Sequence, residues 1–138
     1  MHISASILNT ANQNEVKVST NNATKQLLIP PKSEETGSSI NGGELLFLAL
    51  ATCFCNDIYR EATKRQMQIR SVEVFVSGEF GDEGKPGFNI QYEAKVDCDA
   101  TEEEINDLIL YVDQVAEVHN TLRVGTPVTL KNIKKSDK

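Results

Sequence analysis

The sequence predicts an α+β protein, with antiparallel sheets, a long central helix and a second amphipathic helix in the order βββ-α-ββ-α-β. Three observations carry that reading. Short alternating segments fill the first third of the chain, and a proline-free run rich in helix formers follows. Two long alternating stretches joined by a glycine-rich segment then lead into a helix-start signal.

In the first third, residues 1–40, the alternations Ile3/Ala5/Ile7, Val16/Val18 and Leu27/Ile29 are separated by Asn- and Thr-rich pieces, as in a meander of short strands. Pro30-Pro31 ends the third segment, because proline donates nothing to a ladder, and 32–39 reads as an exposed loop. The central helix is expected over 41–68, with no proline and no glycine after Gly43. Its first half is apolar on every side and its second half is amphipathic, so the first half must be covered by protein. So small a chain has little material for that, which predicts that a second copy supplies part of the cover in a homodimer.

A hairpin over 70–98 follows. Val72, Val74 and Val76 alternate with Glu73, Phe75 and Ser77; Phe88, Ile90, Tyr92, Ala94, Val96 and Cys98 alternate with polar residues, and the segment from Gly81 to Gly87 turns between them. Thr101-Glu102-Glu103-Glu104 matches a capping box, opening a second helix over 101–122 that places Ile105, Leu108, Ile109, Val112, Val115 and Ala116 on one face. A last strand is expected over 127–133, with the lysine-rich end fraying into solvent. The whole, 1–138, reads as a single domain.

The chain has 138 residues, 14 Lys plus Arg against 20 Asp plus Glu, and a formal net charge of −6. Such a charge repels nucleic acid and anionic membranes. The longest apolar stretch, Leu45 to Cys55, falls short of the ~18 residues of a membrane span. Three cysteines, an odd number, speak against a disulfide framework, and the N-terminus has no signal-like pattern, so a cytoplasmic protein with reduced thiols is expected.

Cysteine is the residue type whose placement suggests chemistry. At helical spacing Cys53 lies where the stripe of Leu46, Ala49 and Leu50 gives way to Asn56, Asp57, Arg60 and Lys64. A thiol becomes nucleophilic as its thiolate, which a nearby cation stabilises. Arg60, two turns on, is the candidate cation, and Asp57, one turn on, works against it. Cys55 shares its stripe with Leu48, Ala51, Ile58, Tyr59 and Ala62, a core setting, and Cys98 ends a strand's apolar face. Glu44 is a candidate acid or base, although Asn41-Gly42-Gly43-Glu44 also fits a helix cap. His119 is expected at the core edge in a satisfied structural role. No metal or other cofactor is expected: Cys53 and Cys55 diverge on a helix, and neither C-x-x-C nor paired histidines occur. The glycines of the hairpin loop do not form a phosphate cradle.

The run Asn41-Gly42-Gly43-Glu44-Leu45-Leu46-Phe47-Leu48-Ala49-Leu50-Ala51-Thr52-Cys53-Phe54, with Val118-His119-Asn120-Thr121-Leu122 later, resembles the OsmC/Ohr family of osmotically induced and organic-hydroperoxide-resistance proteins. The resemblance implies an intertwined α+β homodimer whose long central helices lie in the interface, and a thiol peroxidase chemistry. In that chemistry one cysteine attacks the peroxide, a second resolves the sulfenic acid, and an Arg/Glu pair activates the first. Carried over, the attacking cysteine is Cys53. The resolving position is Ala116, in Ala116-Glu117-Val118 where the family reads C-P-V. The activating glutamate falls on Gly43, with Glu44 at the next position, and no arginine precedes Arg60. Lys17, Lys25 and Lys32 are the only early cations apart from the N-terminus.

Two-cysteine turnover therefore fails at Ala116, because an unresolved sulfenic acid needs an external thiol. Two functions remain: a one-cysteine peroxidase acting on organic hydroperoxides through Cys53, with Arg60, Ala116 and Asn120 lining the site, or a module that binds a small hydrophobic ligand in the interface pocket without turnover.

Overall fold

The computed structural model describes residues 1–11, 13–33 and 36–136. Glu34 and Glu35 of the expected loop, and Asp137 and Lys138 of the expected tail, lie outside them. The elements are β1 (Ile3–Thr10), β2 (Gln13–Thr20), β3 (Ala23–Gln26), α1 (Gly42–Lys64), β4 (Ile69–Glu79), β5 (Phe88–Cys98), α2 (Glu102–Val115) and α3 (Glu117–Arg123). They form two compact units, Met1–Leu46 and Phe47–Lys138, and α1 begins in the first and continues into the second.

In the first unit β1, β2 and β3 make an antiparallel meander in that order. The third strand is Ala23–Gln26, just ahead of the Leu27/Ile29 alternation; beyond it Leu27 N–H still donates to Val16 O at 3.1 Å. Ile29 is buried, and the chain then turns at Pro30-Pro31 and returns through a bridge between Pro31 and Ser38. The unit ends in the cap of α1, where Glu44 N–H donates to Asn41 Oδ1 at 2.8 Å and Asn41 N–H donates to Glu44 Oε1 at 2.9 Å. This reciprocal pair satisfies two amides that the helix start leaves free.

In the second unit β4 and β5 form the hairpin that the alternation predicts, with Val72 opposite Val96 and Val74 opposite Ala94. Phe54, Ile58 and Ala62 of α1 pack with Leu108 and Val112 of α2 and with Ala116 to form the buried core, flanked by Val72, Val74, Tyr92, Ala94 and Val96 of the hairpin. Phe88 and Ile90 were expected inward but are exposed, because the register shifts between Ser77 and Glu79 and Asn89 takes a left-handed φ of 53°.

Three boundaries differ from the sequence reading. Helix α1 stops at Lys64 and not at 68, since Gln66 adopts φ 58° and closes the end: Gln66 N–H donates to Thr63 O and Met67 N–H to Ala62 O, at 3.1 and 2.9 Å. That is the Schellman turn, usually marked by glycine, which this sequence lacks there. The expected second helix is two, broken at Ala116, whose ψ of 107° is extended. Side chains of α3 take up carbonyls at the end of α2: Asn120 Nδ2 donates to Gln114 O at 3.0 Å and Arg123 Nη1 to Asp113 O at 2.9 Å. No proline or glycine announces the break. The strand expected over 127–133 does not form; 126–136 carries no regular structure and pairs with no described strand.

Within the single chain the burial of α1 does not follow its hydropathy. Leu48, in the apolar half, is 60% exposed, whereas Asp57 and Glu61, in the polar half, are buried. The core contacts the helix along Leu50, Phe54, Ile58 and Ala62, a line that runs into the charged half. Cys55 consequently sits half-buried rather than in the core, since Leu48 and Tyr59 of its stripe are exposed.

Candidate functional site

The site lies where the second half of α1 meets the start of α3. Cys53, Asp57 and Arg60 follow one another along one face of α1, and the break at Ala116 brings Glu117, the first residue of α3, alongside them. The Cys53 thiol donates to Asp57 Oδ2 at 3.8 Å and lies 4.0 Å from Glu117 Oε2. Both distances suit sulfur, whose hydrogen bonds are long and weak. Arg60 Nη1 sits 3.0 Å from Asp57 Oδ1 and 3.7 Å from Glu117 Oε1, and its Nε donates to Glu61 Oε2 at 2.9 Å. The Asp57 carboxylate is thus divided, one oxygen on the guanidinium and the other on the thiol.

The electrostatics follow from that arrangement. Burial pushes the Cys53 thiol up, and the charges of Asp57 and Glu117 push it further, while the Val118 backbone amide, hydrogen-bonded to the sulfur, pulls it down. The resting group is therefore a thiol at neutral pH. Burial and the Glu117 charge also raise the Asp57 carboxyl, with Arg60 opposing them. Glu61 is held low by hydrogen bonds from Lys64 and Arg60. Arg60, the cation expected for Cys53, spends its charge on three carboxylates. The sulfur and the Asp57 and Glu117 oxygens lie within 4.8 Å of one another, near enough to share a small cation, but the positive charge beside the two carboxylates is already Arg60.

The remaining candidates have other employment. Glu44 caps α1. Asn120 joins α3 to α2, donating to Gln114 O and accepting from Arg123 Nη1 at 3.1 Å. Ala116, at the position that the family resemblance gives to the resolving cysteine, is fully buried in the core. Cys55 borders a shallow open recess with Ala51, Thr52, Asn56 and Val74. Glu117 was missed by the sequence reading, because 64 residues separate it from Cys53. Its place next to Ala116 in the family segment was the signal available.

His119 is buried, as expected, but not satisfied. Its ring packs edge-on against Tyr92, with centroids 4.6 Å apart, and lies 5.6 Å from Phe54. Neither ring nitrogen has a hydrogen-bond partner among the described residues. The nearby Asp113 carboxylate is engaged by the Tyr92 hydroxyl and by Arg123 Nη2.

The family model described as "OsmC-like protein" matches residues 35–131, and the chain belongs to that family. Among solved structures, an OsmC-like protein from Mycoplasma pneumoniae is similar at 20% identity, covering 87% of each chain with a TM-score of 0.61. An organic hydroperoxide resistance protein OsmC from Legionella pneumophila shares 19% identity over 89% of this chain and 90% of its own, with a TM-score of 0.56. The organic hydroperoxide resistance protein OhrB of Bacillus subtilis shares 19% over 87% and 90%, with a TM-score of 0.51. No curated protein sequence matches. No helix among the described residues is long and apolar enough to cross a membrane.

Proposed function

We propose that this chain reduces organic hydroperoxides as a one-cysteine, thiol-dependent peroxidase, with Cys53 as the reacting residue and a homodimer as the working form in a reducing, cytoplasmic setting. The observation that carries it is the setting of Cys53: all three cysteines are half-buried, but it is the Cys53 sulfur that faces Asp57 and Glu117, with Arg60 behind them. Membership of the OsmC-like family, and likeness in fold to proteins named for hydroperoxide resistance, support the choice of oxidant.

The Cys53 sulfur attacks the hydroperoxide oxygen that carries hydrogen, the O–O bond breaks, and an alcohol leaves; sulfur is oxidised by two electrons to the sulfenic acid. With alanine at 116, one external thiol condenses with the sulfenic acid and releases water, and a second reduces the mixed disulfide. The dimer is supported by apolar side chains that their own chain leaves uncovered: Leu48 on α1, and Val128 and Leu130 beyond α3, which are 99% and 78% exposed.

The test is consumption of an organic hydroperoxide with dithiothreitol or dihydrolipoamide as reductant, comparing the wild type with Cys53→Ser. Turnover by the wild type and none by the variant is expected. Mass spectrometry that finds Cys53 still a thiol after stoichiometric hydroperoxide, while free cysteine in the same tube is oxidised, sinks the proposal. The raised thiol favours one second reading, retention of a small hydrophobic ligand without turnover. A copurified ligand in native mass spectra, bound equally by Cys53→Ala, would select it.

A further inference from the structure

We propose that Asp57 is the general base and then the general acid of this reaction, taking the proton of the Cys53 thiol and passing it to the departing alkoxide. The inference rests on the peroxidase reading and assigns the proton route within it. Any such route needs an acceptor in contact with the sulfur that can also let the proton go.

Asp57 meets that need by geometry. Its Oδ2 accepts from the Cys53 thiol at 3.8 Å, one helical turn away, while Oδ1 is fixed on Arg60 Nη1 at 3.0 Å. Anchoring one oxygen orients the other and leaves its lone pair for the proton. The side chain is buried, so water competes poorly for that lone pair. Arg60 cannot itself take a proton, and Glu117, exposed and 4.0 Å from the sulfur, is the more loosely placed of the two carboxylates.

In the step, sulfur bonds to the terminal peroxide oxygen as the thiol proton moves to Oδ2. The O–O bond breaks, and the same proton goes from Oδ2 to the alkoxide to give the alcohol. Asp57 ends as it began, and the two electrons pass from sulfur to the peroxide. The groups facing Asp57 are Cys53 and Arg60 on α1 and Glu117 on α3. Glu117 raises the carboxyl, which brings a weak base nearer to the working range, and Arg60 opposes it.

An electrostatic role and a proton-carrying role predict opposite results for Asp57→Asn. Removing a negative charge beside the thiol favours the thiolate, so alkylation of Cys53 by iodoacetamide at pH 7 rises severalfold in either case. Hydroperoxide consumption at saturating dithiothreitol should nevertheless fall about 10²-fold if Asp57 carries the proton. Consumption that rises together with alkylation overturns the assignment and leaves the peroxidase reading standing. A wild type that consumes no hydroperoxide overturns both. Should Asp57→Asn fail to fold by circular dichroism, Glu117→Gln decides, since its residue is exposed. It should move the acidic limb of the pH–rate profile to lower pH, and a limb that stays in place refutes the role of Asp57.

Discussion

At the scale of single residues, His119 and Cys53 show how burial without the right partner changes chemistry. A buried imidazole normally finds a carbonyl or carboxylate for at least one nitrogen. Here two aromatic rings border it, and the carboxylate within range is already used by Tyr92 and Arg123. Burial, and secondarily the Arg123 charge, hold His119 below its ordinary value near 6.5, with Asp113 opposing. As pH falls, the unfolded chain therefore takes the proton first, and stability is lost as pH drops through about 6.5. His119→Leu removes both unpaired nitrogens at similar volume and should stabilise the fold by about 1 kcal/mol. Thermal melts should show a higher midpoint for the variant and a smaller loss between pH 7 and pH 5; an equal pH loss in both proteins refutes the role of this residue. Cys53 is the opposite case, since the position was legible from the helical stripe but its environment was not. The stripe contained Asp57 and Arg60 in the right order. The second carboxylate at the thiol comes from a helix 64 residues away, whereas Asp57 and Glu61, which hold Arg60 most closely, are its neighbours on α1.

At the scale of elements, the starts of α1 and α2 were legible, whereas their ends and the start of α3 were not. Asn41 with Glu44 and Thr101 with Glu104 are side-chain signals, and both form: Glu104 N–H donates to Thr101 Oγ1 at 3.1 Å. The end of α1 is made by a glutamine in a left-handed conformation that costs a side-chain-bearing residue more than glycine. Gln66→Gly should therefore stabilise the protein by about 1 kcal/mol, read as a rise in the denaturation midpoint. At the α2–α3 break, Asn120→Ala removes the donor that satisfies Gln114 O and should cost on the order of 1 kcal/mol. An unchanged midpoint would mean that water serves that carbonyl equally well. In the hairpin, Gly78 leaves no room for a side chain, because a Cβ there would stand 2.7 Å from the Phe47 ring and 3.1 Å from Ile90. Gly78→Val should displace Phe47 from its stack on Phe80, 5.9 Å away between centroids, and lower the melting temperature.

At the scale of the whole molecule, exposed apolar groups lie on several elements. Every residue of β1 is exposed, Leu48 stands out from α1, and Val128 and Leu130 are bare in a segment whose sequence reads as a strand. A segment with strand character that pairs with no described strand of its own chain is what a second chain would complete. Light scattering at micromolar concentration should give the mass of two chains, and a monomeric mass would refute the dimer whatever the activity.

Taken alone, the sequence determined the α+β class, the hairpin, both side-chain helix caps and the shared face of Cys53, Asp57 and Arg60 on α1, because alternation, helical period and capping act between near neighbours. Only the tertiary structure decided that α1 buries Asp57 and Glu61 while leaving Leu48 exposed, that one long helix becomes two at Ala116, and that Glu117 meets Cys53 while the His119 nitrogens find no hydrogen-bond partner among the described residues. Each of these depends on which surfaces meet across long stretches of chain. Periodicity fixes the face a residue occupies on its own element, and packing decides what that face touches.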